Sequence, residues 1–313
     1  MGLQSDFTRA DRIVDRLTEQ MVKKELLPAY RQSLDNIRSD IAHLYEKYSI
    51  DGKLSMVDVS KYNRLKSLEA DIAKEMSKLN GKQMRITSNK IKNVYQESYY
   101  RVAFALEKEV QLKLRFGQLS SKQVEAALIN PMDRIGWKDR TAEQAKLATR
   151  QIREEITRGI IQGKSYPEVA RQVKERMDMA AGRAERIVRT EAHRAREEGK
   201  LASMEHASKQ GVDMEKVWTA TLDGRTRDSH QALDGQVVPM YDEDGNPGMF
   251  ESSGGRAEYP GGFGTAEEDI RCRCAVRGQI KGYTPEIRRA REEGIIPYQT
   301  YPEYAKAKGW PVH

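Results

Sequence analysis

The sequence predicts an α+β protein, with a long, mostly α-helical N-terminal part followed by a small α+β C-terminal module of short antiparallel strands. Apolar residues recur every three to four positions over residues 6–210, the period of a helix that buries one face. At Gly211 the texture changes: from Val217 to Ile280 short apolar stretches alternate with the turn pairs Asp223-Gly224, Asp234-Gly235, Asp244-Gly245 and Pro260-Gly261. Charged residues reach 32% against 38% hydrophobic, which suits exposed or partner-bound helices better than one large core. The expected organisation is an extended helical region over 1–135, a module over 136–280 (helices 138–210, strands and loops 211–280), and a C-terminal helix and tail over 281–313.

Within the helical part, Ile91, Val94, Tyr95, Tyr99, Val102 and Leu106 form one apolar stripe. The aromatic cluster Tyr95, Tyr99, Tyr100 and Phe104 reads as a packing or docking face rather than a base-stacking platform, with Tyr100 off the stripe. Ser55 with Asp58, Thr141 with Gln144 and Ser165-Tyr-Pro-Glu168 read as helix starts. Asp51-Gly52, Asn80-Gly81 and Asn130-Pro131 read as turns between helices. Gln236-Val-Val-Pro239 is expected to be a strand at a sheet edge, and 251–264 a glycine-rich irregular loop. A last helix is expected after Thr284-Pro285-Glu286, with threonine as cap and proline at the first helical position.

The formal charge of +7 would attract polyanions, although 54 basic residues are interspersed with 47 acidic ones. Any DNA contact is therefore expected to be non-specific and salt-dependent. The two cysteines, Cys272 and Cys274, are too few for a secreted disulfide scaffold and too close to bridge each other without strain. No apolar run reaches the length of a membrane span, and the N-terminus lacks the uncharged apolar core of a signal peptide. Synthesis in a cytoplasm is the expectation.

Four elements stand in order in the C-terminal half. Arg189-Thr190-Glu191 lies on a helix. Trp218 opens the second element, which continues through Asp223, Arg225 and Arg227 to His230. Gly235-Gln236-Val237 forms the third, and Cys272-Arg273-Cys274 closes the series. In this order, over residues 150–280, they resemble the Mu F-like (SPP1 gp7-like) minor head proteins of tailed bacteriophages. The resemblance implies a minor capsid or head morphogenesis protein in the virion head near the portal vertex. Implied partners are the portal protein, a scaffold or major capsid protein, and phage DNA. Implied roles are procapsid assembly and DNA retention or ejection. Arg189, Thr190, Glu191, Trp218, Asp223, Arg225, Arg227 and Gly235 would be its structural motif.

The local chemistry reads independently. In an extended strand Cys272 and Cys274 present both sulfurs on one face, with Arg271 and Arg273 on the other. Together with His230 they are three potential zinc ligands, with Asp228, His206 or water as the fourth. The competing reading makes the cysteines small buried hydrophobes and His230 a hydrogen-bonded loop anchor. Glu191 is expected to pair with Arg225 or Arg227, against an alternative in which the helix pairs its own charges, such as Arg194 with Glu198. Gly224, Gly235 and Gly261 are expected to serve turns that need positive φ. No enzyme is expected: H-E-x-x-H, G-x-S-x-G and a P-loop are all missing from the sequence. The alternatives are a non-specific DNA-binding protein of the head interior and a metal-dependent hydrolase or nuclease built on Asp223, His230 and Glu191.

Overall fold

A computed structural model of the chain describes residues 2–126, 129, 135–282, 287–290 and 294–308. Helices α1 (Leu3–Met21), α2 (Leu27–Tyr48), α3 (Met56–Ser60), α4 (Arg64–Val110), α5 (Ser121–Ala126), α6 (Trp137–Ile161) and α7 (Tyr166–Lys209) make up the long helical part. There follow β1 (Met214–Thr219), α8 (Asp228–Leu233), β2 (Val237–Pro239), β3 (Phe250–Ser252), β4 (Gly255–Ala257), α9 (Ala266–Asp269), β5 (Ala275–Ile280), β6 (Ile287–Ala290), β7 (Gly294–Pro297) and α10 (Tyr301–Lys308). The α+β class is as expected.

The chain forms two compact units, each assembled from separate stretches. One comprises 1–18, 90–134 and 189–313; the other comprises 19–89 and 135–188. The second unit is helical. Its core joins Ile37 and Ile41 of α2, Ile72 and Met76 of α4, Ile152 and Ile156 of α6, and Val169 and Val173 of α7. Helices α6 and α7 meet where Gly159 faces Val169: a Cβ at Gly159 would lie 2.5 Å from Val169 Cγ2. Arg153 reaches Glu69 at 2.5 Å, and Arg176 reaches the buried Glu155 at 2.5 Å.

The first unit holds the strands. β1 is the middle strand of a three-stranded antiparallel sheet ordered β2-β1-β5, with Val217 opposite Val237 and Trp218 opposite Val276. As expected, β2 is an edge strand, where Pro239 need not donate to a ladder. The strand period puts Met214, Lys216 and Trp218 on one buried face. Lys216 is tolerated there because its ammonium donates to the Gly248 carbonyl at 2.6 Å. The core continues through Phe7, Val102, Leu106, Met204, Phe250 and Tyr301.

Several local expectations hold. The stripe from Ile91 to Leu106 is buried and Tyr100, off the stripe, is exposed at 40%; Phe104 does not pack with Tyr95 and Tyr99 but is exposed at 69%. Ser55 caps α3, accepting from the Asp58 N–H at 3.1 Å. Ser165 opens α7 with its N–H and hydroxyl both donating to Glu168 Oε2, at 2.8 and 2.7 Å. Asp51 and Gly52 turn with φ of 49° and 74°.

Others are corrected. Asn80-Gly81 is no turn: α4 runs through it for 47 residues, held by the burial of Met76, Leu79 and Gln83 on either side. Thr141 does not start a helix; it lies within α6, its hydroxyl donating back to the Trp137 carbonyl at 2.8 Å. Residues 251–264 include the β3–β4 hairpin, registered Phe250 to Ala257. Thr284-Pro285-Glu286 and Asn130-Pro131 lie outside the described residues. Residues 287–297 contain the antiparallel pair β6–β7 instead of a helix, consistent with the β-branched Ile295 and Ile296 and a terminal proline. The last helix starts later, at Tyr301, where Thr300 gives its N–H and hydroxyl to Glu303 Oε2 at 2.6 and 3.0 Å. Thr300-Tyr-Pro-Glu303 is thus the same starting signal as Ser165-Tyr-Pro-Glu168.

Candidate metal centre and its bracing

His230, Cys272 and Cys274 converge in the interior of the strand-bearing unit. The Nδ1 of His230 lies 3.7 Å from Cys272 Sγ and 3.5 Å from Cys274 Sγ, and all three side chains are buried. His230 arrives from α8, a six-residue helix that follows the Asp223-to-Arg227 loop. The cysteines sit just before β5, not within a strand as the spacing suggested. Arg271 takes a left-handed backbone (φ 61°) at the end of α9, and this turn sends the following residues toward His230. The sulfurs share a side as expected, through a turn rather than through a pleat.

The imidazole is held on every side. Phe263 stacks on it at 5.5 Å and 12°, and Trp218 meets it edge-on at 5.4 Å. Phe263 is fixed in turn because its N–H and that of Gly264 donate to the buried Asp269 carboxylate at 3.1 and 2.8 Å. On the far side of the ring, Glu268 Oε2 lies 2.8 Å from Nε2, within ion-pair distance although off the line of the N–H. Glu268 also accepts from the Ser229 hydroxyl at 2.9 Å. A carboxylate at Nε2 favours the tautomer that carries its proton there, leaving the Nδ1 lone pair toward the sulfurs. Gly254 makes room for this carboxylate, since a Cβ there would fall 2.5 Å from Glu268 Cδ.

His193, on α7, lies beside Cys272. Its Nδ1 is 3.0 Å from Arg196 Nη2, an arginine that can only donate, so Nε2 carries the ring proton. Burial holds His193 below the usual imidazole range. Burial and the neighbouring Cys274 thiol push Cys272 up to about 12. The other proposed fourth ligands are elsewhere: His206 is bonded to the Leu114 carbonyl at 2.8 Å, and Asp228 is exposed.

The remaining motif residues brace the centre. Asp223 takes both terminal nitrogens of Arg273, Nη2 at 2.7 Å, while Thr221 donates to the Arg273 carbonyl at 2.8 Å. Arg227 donates to the Ile270 carbonyl, and Arg225 is exposed beside Asp223 at 3.5 Å. Glu191 is therefore not stapled as expected: its carboxylate meets Arg194 at 3.2 Å on its own buried helix face. Arg189 is exposed and Thr190 buried. Gly235 and Gly261 have φ of 79° and 87°, as their turns require, but Gly224 does not adopt positive φ. Gly261 also lets its loop approach α7, where a Cβ would come 2.9 Å from Arg194 Cγ.

A second buried cluster was invisible in the sequence. Asp11 of α1 meets Lys200 at 3.1 Å and Arg277 at 2.7 Å. Glu197 meets Arg196 and Lys200, both at 2.7 Å, and accepts from the Val276 N–H at 2.7 Å. Burial alone would raise the Asp11 carboxyl; Arg277, Lys200 and Arg196 more than offset it and hold it far below the ordinary carboxylate range. Burial lowers Lys200 from the usual lysine range. These groups tie α1, α7 and β5 together.

Residues 150–277 match the family model described as "Phage Mu protein F like protein". Over 304 residues the chain is 34% identical to a protein named "Minor head protein GP7" of Bacillus phage SPP1, covering 95% of this chain and 96% of that one. Over 287 residues it is 28% identical to a protein named "NAD(+)--arginine ADP-ribosyltransferase EFV" of Enterococcus faecalis (strain ATCC 700802 / V583), covering 91% of this chain and 57% of that protein. No solved structure matches the chain.

Proposed function

The chain belongs to the Mu F-like minor head protein family, and from that premise we propose that this phage head morphogenesis protein works at the portal vertex. There it binds the portal protein during procapsid assembly and influences how packaged DNA is retained or released. The observation that carries this reading is the extent of the likeness to a minor head protein, which runs through 95% of the chain and is not confined to the 150–277 module.

The helical unit is the proposed portal-facing surface. It is rich in charge and leaves Tyr62 exposed at 87% and Ile161 at 65%. A fragment ending at residue 150 would cut through both compact units, so the test uses the full chain. Co-expressed with the portal protein of the same phage, it should co-purify; Tyr62→Lys with Ile161→Lys should abolish this, and Val237→Lys on the sheet edge should not. Loss caused by Val237→Lys alone would overturn the assignment of the surface, and no co-purification of the unaltered chain would overturn portal binding.

The residues considered for hydrolysis have other engagements. Asp223 is bonded to Arg273, Glu191 to Arg194, and His230 faces Glu268 and two thiols in a closed aromatic setting. A general base needs a reachable lone pair near a substrate, and this arrangement supports a structural role. The transferase named above is longer than this chain, which spans 57% of it; its activity forms no part of the proposal.

A further inference from the structure

We propose that His230, Cys272 and Cys274 bind one zinc ion, which locks α8 to the turn before β5. Around a tetrahedral zinc with Zn–S of about 2.3 Å and Zn–N of about 2.0–2.1 Å, a ligand nitrogen and sulfur stand roughly 3.6 Å apart. The observed Nδ1-to-sulfur separations, 3.5 and 3.7 Å, fall on either side of that value. The three donor atoms all lie within 4.8 Å of one another.

The surroundings fit the same ion. A zinc-bound imidazole characteristically presents its other nitrogen to a carboxylate, which fixes tautomer and orientation; Glu268 Oε2 stands 2.8 Å from that nitrogen, off the line of the N–H. His193 also stands beside Cys272, with its Nδ1 3.0 Å from Arg196 Nη2. Soft sulfur donors together with imidazole select zinc over magnesium or calcium. Binding converts two thiols to thiolates and releases their two protons to solvent, so the metal arrives with charge that the buried sulfurs then neutralise. The fourth corner goes to water, because His206 is bonded elsewhere, Asp228 is exposed, and His193 turns its lone pair to Arg196. This inference concerns the unit's own architecture and stands or falls independently of portal binding.

The test is metal analysis of the full chain purified without chelator or affinity metal. About one zinc per chain is expected, falling to background in the Cys272→Ala, Cys274→Ala double variant. Cobalt replacement should give the intense near-ultraviolet thiolate-to-metal band and tetrahedral visible bands. Stripping the metal should lower the melting temperature of the unaltered protein. If the double variant does not fold, zinc content and the cobalt spectrum of the unaltered protein decide alone. Less than about a tenth of an equivalent of zinc, no thiolate-to-cobalt band, and a melt indifferent to chelator would overturn the proposal and leave the cysteines as packing groups.

Discussion

Arg273, the residue between the two cysteines, gives both terminal nitrogens to the carboxylate of Asp223, fifty positions earlier in the chain. The loop that leads to His230 is thereby tied to the segment that carries Cys272 and Cys274. The C-R-C spacing thus has two jobs: the cysteines face inward and the arginine holds their segment in place.

Replacing Asp223 by Asn should remove the charge from this tie. Because the arginine side chain is one-third exposed (33%), solvent screens part of the interaction. A loss of about 1–2 kcal/mol is expected in urea melts, within the range for a charge-assisted pair. Arg273→Lys should lose much of the same energy, since a lysine cannot reproduce the two-pronged contact.

The Asp11 cluster gives the protein an acid limb. Its folded-state carboxyl lies far below the unfolded value because Arg277, Lys200 and Arg196 outweigh its burial. A group depressed in this direction contributes stability above its unfolded pKa, about 3.9, and that contribution disappears as pH falls through the folded value. Asp11→Asn should cost about 3 kcal/mol at neutral pH, because the buried Arg277, Lys200 and Arg196 lose one of the anions that balance them. The gap between variant and unaltered protein should close as pH drops below about 4. Denaturant melts across pH check both; a gap independent of pH would refute the electrostatic account.

Helix α7 offers a contrast between two glycines. Gly182 has open space around it, so Gly182→Ala should stabilise by about 0.5–1 kcal/mol through helix propensity. A Cβ at Gly199 would lie 2.5 Å from the Tyr95 carbonyl oxygen, a backbone atom that cannot swing away. Gly199→Ala should therefore destabilise by about 1–3 kcal/mol or more. Thermal melts of the pair read opposite signs.

The formal charge of +7 gives one expectation outside the fold. Binding to random duplex DNA in a filter assay should weaken steeply as salt rises, because phosphate contacts release counterions. Affinity unchanged by ionic strength would contradict a phosphate-led contact.

Much of this architecture was legible in the residues. The helical stripe around Val94, the Ser165 starting signal and the β2 edge ending at Pro239 follow from short-range pattern, and the shared side of Cys272 and Cys274 from their spacing; that His230 meets them was suggested by residue type alone. What escaped depends on distant chain segments. Asp11 meets Arg277 across most of the sequence, and nothing in its neighbourhood marks it. Glu268, Phe263 and His193 lie outside the recurring motif but make the setting of His230. Local signals also misled where packing outranked them: Asn80-Gly81 resembles a turn, yet buried neighbours carry α4 through it. Thr141 with Gln144 imitates a starting signal one turn inside a helix that Gly136 already caps.

The most direct test of the central claim, that this is a head protein working at the portal vertex, is quantitative mass spectrometry of purified procapsids and mature particles. The chain should be present in both in low copy number relative to the major capsid protein, and it should disappear from procapsids assembled without portal protein. Its absence from particles, or its undiminished incorporation without portal, would contradict the account.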